Sequence, residues 1–200
     1  MKSLTIGLLG IVFLCSFVSS LPSVKFQDDR DGTSYHAVTI GHTQVMTKNL
    51  KFCDQKAFNY ESLERYGQHY GKLYTYASIV DINGEIDNSI CPDGWRVPEL
   101  MDWEYLLTGM NPVISRTSDG NLKYHIPENY AHLQFGGFRS HQGDDYFSLG
   151  KEGHYLTATG DDQHWTTVKI KRVGEGYDLT INKKTDHNRG VSCRCVKDSE

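Results

Sequence analysis

Two cysteines, Cys193 and Cys195, sit almost side by side near the carboxyl end of the chain, and the other three, Cys15, Cys53 and Cys91, all lie in its first half. In an extended segment, side chains two positions apart share one face, so a Cys-x-Cys pair is poorly placed to bridge to itself. Each late cysteine is therefore expected to reach back to a distant partner, and each such bond closes a loop of about 100 residues or more. A fold built this way must bring its first half against its last strand. Cys53, Cys91, Cys193 and Cys195 allow three connectivities, and spacing does not choose among them. The competing use of Cys-x-Cys is half of a metal site, but the second compact Cys/His pair that would complete one is absent.

Bonding of this kind needs an oxidising compartment, and the amino terminus supplies the address. In "MKSLTIGLLGIVFLCSFVSSLPSV", Lys2 precedes an apolar run over residues 4–18, too short to span a bilayer comfortably. Val18 and Ser20 stand at the −3 and −1 positions of a cleavage site. We read residues 1–20 as a signal peptide and 21–200 as one secreted, extracellular domain with its core at about 28–198. No second apolar run follows, so no membrane span is expected. Cleavage removes Cys15 and leaves an even number of cysteines. It also removes Lys2 and no acid, so 21 Lys and Arg against 25 Asp and Glu become 20 against 25. That balance, without a basic stripe, argues against a nucleic-acid partner. A hydrophobic content of 38% with 12% aromatics is enough for a globular core. There is no Asn-x-Ser/Thr sequon.

Along the chain, Asp31-Gly32 and Gly41-His42 mark turns on either side of a strand holding Tyr35, Ala37, Val38 and Ile40. Val45 and Met46 begin the next strand, making an N-terminal hairpin. Residues 51–73 read as irregular or briefly helical, 73–80 as strand or short helix, and 81–90 as loop. In "CPDGWRVPELMDWEYLLTGM", residues 91–110, Pro98 opens a helix whose positive end suits Glu99 and Asp102. Leu100, Trp103, Leu106 and Leu107 share one face, Asp102 and Glu104 turn to water, and Gly109 ends the helix. Glycine-rich turns then separate "HYLTATG", "HWTTVKIKRV", "YDLTINK" and "VSCRCVK", all strand-like, and "RVGEGYDL" is a hairpin with Gly-Glu-Gly at its tip. Helix early and strands late predict a single loop-rich α+β domain with one or two helices.

These segments carry a resemblance. "CPDGWRVPELMDWEYLL", "DGTSYHAVTIGHTQVMTKNLKF", "YGKLYTYASIV", "FGGFRSHQGDDYFSLGKEGHYLTAT" and "GVSCRCVKD" resemble, in order, the conserved blocks of the Fibrobacter succinogenes major paralogous domain family. More remotely, "RVPELMDWEYLL" is similar to a run of the formylglycine-generating fold, which implies a C-type-lectin-like domain. The resemblance also implies a Cys91–Cys195 bond, leaving Cys53 for Cys193. Arg139 matches a family position, where a buried ion pair is expected. Tyr155-Leu156 and Tyr76 depart from the family's aromatic pattern.

No nucleophile elbow, His-Glu-x-x-His or phosphate loop occurs, and no catalytic residue is assigned. The alternative is a metal-dependent thiol oxidase: the formylglycine-generating likeness implies a copper-binding pair at Cys193 and Cys195, with Cys53 and Cys91 left as thiols. For calcium, "DINGEIDN" offers Asp81, Asn83, Glu85 and Asp87 around a glycine. The twelfth position from Asp81 is proline, and a solvated turn is the preferred reading, so no cofactor is assigned. "GDDQHW" and "QGDDYF" read the same way. His132, His141, His154 and His164 share the glycine-rich half without metal-ligand spacing. Trp95 and Trp103 belong to the core. The ligand-binding candidates are Tyr146, Tyr155 and Trp165, with Phe147, beside polar loops, although Trp165 fits a core strand equally well. The expectation is a non-enzymatic recognition or structural protein. It would meet extracellular glycan or protein in a matrix, a secretion or a toxin-like fluid such as venom.

Overall fold

The computed structural model describes residues 23–53, 56–108, 112–118, 122–127, 133–161 and 163–198. The leader, Gly109, Asp119-Gly120 and His132 lie outside the described residues.

Two sheets organise these residues. In the first, β1 (Ser23–Gln27), β2 (Ser34–Ile40) and β3 (Thr43–Met46) form an antiparallel meander, and β14 (Val196–Asp198) pairs with the far edge of β3. The expected hairpin is β2–β3, turning at Gly41-His42. The larger sheet has eight strands, among them β4 (Ala57–Phe58), β5 (Leu73–Tyr74), β13 (Val191–Ser192) and β10 (Glu152–Gly160). The others are β11 (Trp165–Val173), β12 (Gly176–Thr185), β7 (Leu122–Pro127) and β6 (Val113–Arg116), and spatially they follow in this order. A ribbon of β8 (Phe138–Arg139) and β9 (Tyr146–Phe147) stands apart. The α-helices are α1 (Glu64–Tyr70) and α2 (Leu100–Thr108), with 3-10 turns at Tyr60–Ser62 and Tyr76–Ser78.

The α+β expectation is thereby corrected. The described residues are mostly β, with fourteen strands against helices of seven and nine residues. The lectin-like architecture attached to that expectation goes with it. The misreading has a physical source. β4, β5, β8, β9 and β13 are two residues long, too short to display the alternation that marks a strand.

The core divides at the large sheet. Tyr155 and Leu156 are adjacent on β10 and point to opposite faces. Tyr155 packs with Trp103, Leu107, Val168, Ile170 and Leu179 under α2. Leu156 packs with Tyr35, Met46, Tyr74, Trp165 and the cysteines. Residues 153–157 are buried without a break because both faces of this central strand are covered.

The segment from Cys91 to Leu107 joins these layers. Gly94, at φ +77°, completes a turn in which Trp95 N–H donates to the Pro92 carbonyl at 2.9 Å. That turn lays Trp95 on Phe26, with ring centres 4.3 Å apart. Arg96 exchanges backbone hydrogen bonds with Val196 and donates to Asp102 Oδ1 at 2.9 Å and Asp198 Oδ1 at 2.9 Å. Asp102, expected to face water, is thus largely enclosed, and its other oxygen accepts the Glu99 N–H at 2.7 Å, capping the helix start. Trp103, Leu106 and Leu107 are buried as expected. Cys91 bonds Cys195, closing 104 residues of sequence, as the resemblance implies.

The second expected bridge, Cys53 to Cys193, does not form. The register explains why. Leu50 N–H donates to the Cys193 carbonyl at 2.8 Å, so Leu50 is the residue brought beside Cys193, while Cys53, three positions on, lies at the surface. Cys193 is fully buried, with its Sγ 3.9 Å from Cys195 Sγ.

A candidate recognition face

Tyr155 and Trp165, two of the three sequence candidates, are fully buried in the central strands and cannot meet a ligand at the surface. Tyr146 is half-buried on β9, and around it the structure assembles a face that the sequence did not announce.

Its floor is the β8–β9 ribbon. Phe138 stacks on Phe147 at 5.3 Å and meets His154 at a tilt at 4.6 Å, with the Arg189 guanidinium 4.4 Å from its ring centre. Arg139 lies 4.4 Å over Phe58 and pairs with exposed Asp144 at 3.0 Å. The buried pair expected for Arg139 is therefore an open one. Its backbone bridges to Gly190, anchoring the ribbon to the chain just before β13. Gly137 is confined on every side. A Cβ there would lie 2.3 Å from the Phe147 carbonyl and 2.9 Å from the Tyr60 ring.

The wall is the 3-10 turn and α1. Tyr60 packs on Tyr146 at 5.0 Å and edge-on to Tyr66 at 5.8 Å. Tyr66 leads to Tyr70 and carries Arg65 4.9 Å from its ring. Glu64 pins α1 in place. It accepts from Gln68, Asn59 and Lys72, which together hold its carboxyl down to about 2. Phe147 remains 47% exposed at the rim.

The backbone beneath is strained. Among the described residues, three that are not glycine hold a left-handed φ: Glu61 (51°), Ser62 (56°) and Ser148 (64°). All three belong to this face, two beside Tyr60 and one beside Phe147. Such conformations cost stability and persist where the surroundings over-determine them, commonly at binding sites.

Under Phe138, His154 is buried and its Nε2–H donates to Glu152 Oε2 at 3.1 Å. Burial pushes the imidazole down to about 4, outweighing the nearby carboxylate, so it is neutral at physiological pH. Burial pushes the Glu152 carboxyl up, but hydrogen bonds from Lys169 and His154 more than offset this and keep it ionised.

The other candidates fall elsewhere. Asp81 Oδ1 accepts the N–H groups of Asn83 and Glu85, and Asp87 Oδ1 accepts that of Ser89, so each carboxylate caps its own turn. Among the described residues, ligand atoms of three or more His, Cys, Asp or Glu converge only at Cys91, Cys193 and Cys195. Asp81, Glu85 and Asp87 do not form such a group, nor do His141, His154 and His164. Two of the three converging sulfurs are joined to each other, and burial pushes the third thiol, Cys193, far above its usual range. No described helix is long and apolar enough to cross a membrane.

The fold and its face define a disulfide-closed, mostly β domain organised around a Cys-Pro-x-Gly-Trp turn and helix. The family model of the Fibrobacter succinogenes major domain matches residues 25–197, and the chain belongs to that family. No curated protein and no solved structure matches it.

Proposed function

We propose that this chain is a secreted, non-enzymatic recognition protein whose Tyr66–Tyr146–Phe147 face, backed by the buried Tyr60, takes an extracellular glycan or protein. The carrying observation is the coincidence of three partly exposed rings, Tyr66, Tyr146 and Phe147, with every left-handed non-glycine residue described in the chain. Rings held at fixed angles by their neighbours bind with little loss of side-chain freedom. Arg139 and Arg65, each stacked on a ring, add hydrogen-bond donors beside them.

The thiol-oxidase alternative is weaker on geometry. It needs Cys193 and Cys195 as thiolates, whereas Cys195 is bonded to Cys91 and burial holds Cys193 protonated. The test compares wild type with Phe147→Ala and Tyr146→Ala on a glycan array and in pull-downs from extracellular matrix extracts. A saturable ligand should be retained by wild type and weakened about tenfold or more in both variants at unchanged melting temperature. A ligand held equally by all three proteins refutes this face, and the lack of any saturable ligand refutes the recognition role.

A further inference from the structure

A second feature lies behind that face and does not rest on its reading. Lys72, between α1 and β5, is the one lysine buried among the described residues, its side chain 5% exposed. Its Nζ donates to Asn59 Oδ1 at 2.7 Å and to Glu64 Oε2 and Oε1 at 3.1 and 3.4 Å. Asn59 Nδ2 in turn donates to Glu64 Oε2 at 2.9 Å, and Gln68 Nε2 holds the other carboxylate oxygen at 2.8 Å. An ammonium only donates and a carboxylate only accepts, so the amide stands in one orientation alone, carbonyl to Lys72 and NH2 to Glu64. The three side chains thus close a triangle in which the carboxylate touches both nitrogens. Gly67 of α1 makes room for it: a Cβ there would lie 2.0 Å from Asn59 Oδ1 and 3.2 Å from Lys72 Cδ.

We propose that Lys72 and Asn59 condense into an intramolecular amide (an isopeptide bond), with Glu64 carrying the protons. An amine, a carbonyl carbon and a base in contact with both nitrogens are what acyl transfer to an amine requires. In the step, Glu64 takes a proton from the Lys72 ammonium, and the freed lone pair attacks Asn59 Cγ. The Nζ–Cγ bond forms and the Cγ–Nδ2 bond breaks. Two protons leave Nζ in all, both end on Nδ2, and that nitrogen departs as ammonium, with Glu64 ionised as at the start. The balance needs no oxidant and no co-reactant. Holding the groups at hydrogen-bond distance in the folded chain replaces the encounter that makes such a reaction negligible between free side chains. The hydrogen bonds that hold Glu64 down to about 2 make it a weak base, so the reaction is slow. It runs one way, because Glu64 is 61% exposed and ammonium escapes to solvent beside it. The product closes the loop from Asn59 to Lys72, which contains the left-handed Glu61 and Ser62 and all of α1. A covalent tie there restrains the unfolded chain as a disulfide does, in a segment that the Cys91–Cys195 loop leaves outside.

The test is the mass of the full secreted protein, reduced and alkylated. Wild type should weigh less than its sequence requires by one ammonia. Trypsin should then give a branched peptide joining residues 57–65 to residues 66–96, uncut at Lys72 and carrying the whole deficit. Any newly made protein still at full mass should convert on storage at neutral pH. Lys72→Arg keeps the charge and the donor but not the nucleophile, and Glu64→Gln keeps the shape but not the base. Both should restore the full mass and release the 57–65 peptide unbranched. Should Lys72→Arg not fold, Glu64→Gln, at an exposed carboxylate, still decides. A wild-type chain at full mass after prolonged storage, a deficit that maps only to another segment such as Asn83-Gly84, or a branched peptide that persists in Glu64→Gln would each overturn the proposal. None of these readouts involves a ligand, so they leave the recognition face to its own test.

Discussion

From Cys91 to Leu107 the chain turns its aromatic and charged groups inward. Trp95 lies on Phe26, Trp103 lies under the large sheet, and Arg96 ties Asp102 to the last strand. The Tyr60–Phe147 face holds residues of the same kinds, yet its rings stack mainly on one another, Phe147 is half open, and its Arg139 pairs with an exposed aspartate. The backbone differs in the same sense. The first segment meets its one left-handed demand with Gly94, whereas the face imposes it on Glu61, Ser62 and Ser148. Where composition is alike, conformational strain and exposure separate residues that hold the fold from residues free to hold something else.

The sharpest way to break this comparison is to cut the covalent tie of the first region. Cys91→Ser combined with Cys195→Ser releases a loop of 104 residues, worth about 4–5 kcal/mol in the chain-entropy model. Urea unfolding should show most of that loss in the midpoint. The single Cys91→Ser variant is the poorer test, because Cys193 Sγ lies 3.9 Å from the released Cys195 sulfur. A loss below about 1 kcal/mol would mean that hydrogen bonds such as those of Arg96 hold the last strand without the bond.

The next test reaches beneath the face. His154 is held neutral down to about pH 4 in the folded chain, against about 6.5 unfolded. Above pH 6.5 both states carry it neutral and it takes nothing from stability. As pH falls from about 6.5 to about 4 the unfolded chain gains a proton that the folded chain refuses, so stability declines, by at most about 3 kcal/mol. Below about 4 both states are protonated and this contribution stops changing. His154→Gln should therefore flatten the stability profile between pH 6.5 and 4 relative to wild type, whatever its offset at neutral pH. Parallel profiles would place His154 in a more solvated setting than the Phe138 and Glu152 contacts describe.

The two regions also differed in how plainly the sequence spoke. Trp103, Leu106 and Leu107 behind Pro98 spelled out α2, and the Thr- and Val-rich runs spelled out β10, β11 and β12, because a periodic pattern is local. The Cys91–Cys195 bond came with the family resemblance. Pairing order is not local. Nothing near Val191 says that β13 lies between β5 and β10, or near Val196 that β14 closes the other sheet. Tyr155 and Trp165 looked like loop aromatics because glycines flank them, yet they occupy strands covered on both faces. Tyr60 carries no sequence signal because its partner Tyr146, 86 positions on, meets it only after folding, and a left-handed serine leaves no mark in the sequence.

The smallest expected effect bears most directly on strain. At φ +64°, Ser148 gives up about 1–2 kcal/mol to its Cβ, and glycine would recover that while adding about 0.5–1 kcal/mol of unfolded-chain freedom. Ser148→Gly should therefore stabilise the protein slightly, by about 0.5 kcal/mol. Ser115→Gly in strand β6, where no left-handed residue occurs, carries only the entropic term and should destabilise by about 0.5–1 kcal/mol. Paired thermal or urea unfolding measures the opposite signs. If Ser148→Gly gains stability and loses affinity for a ligand found on the Phe147 rim, the strain positions that rim. If it gains stability with affinity intact, the strain belongs to the fold alone, and the contrast between the two regions rests on exposure.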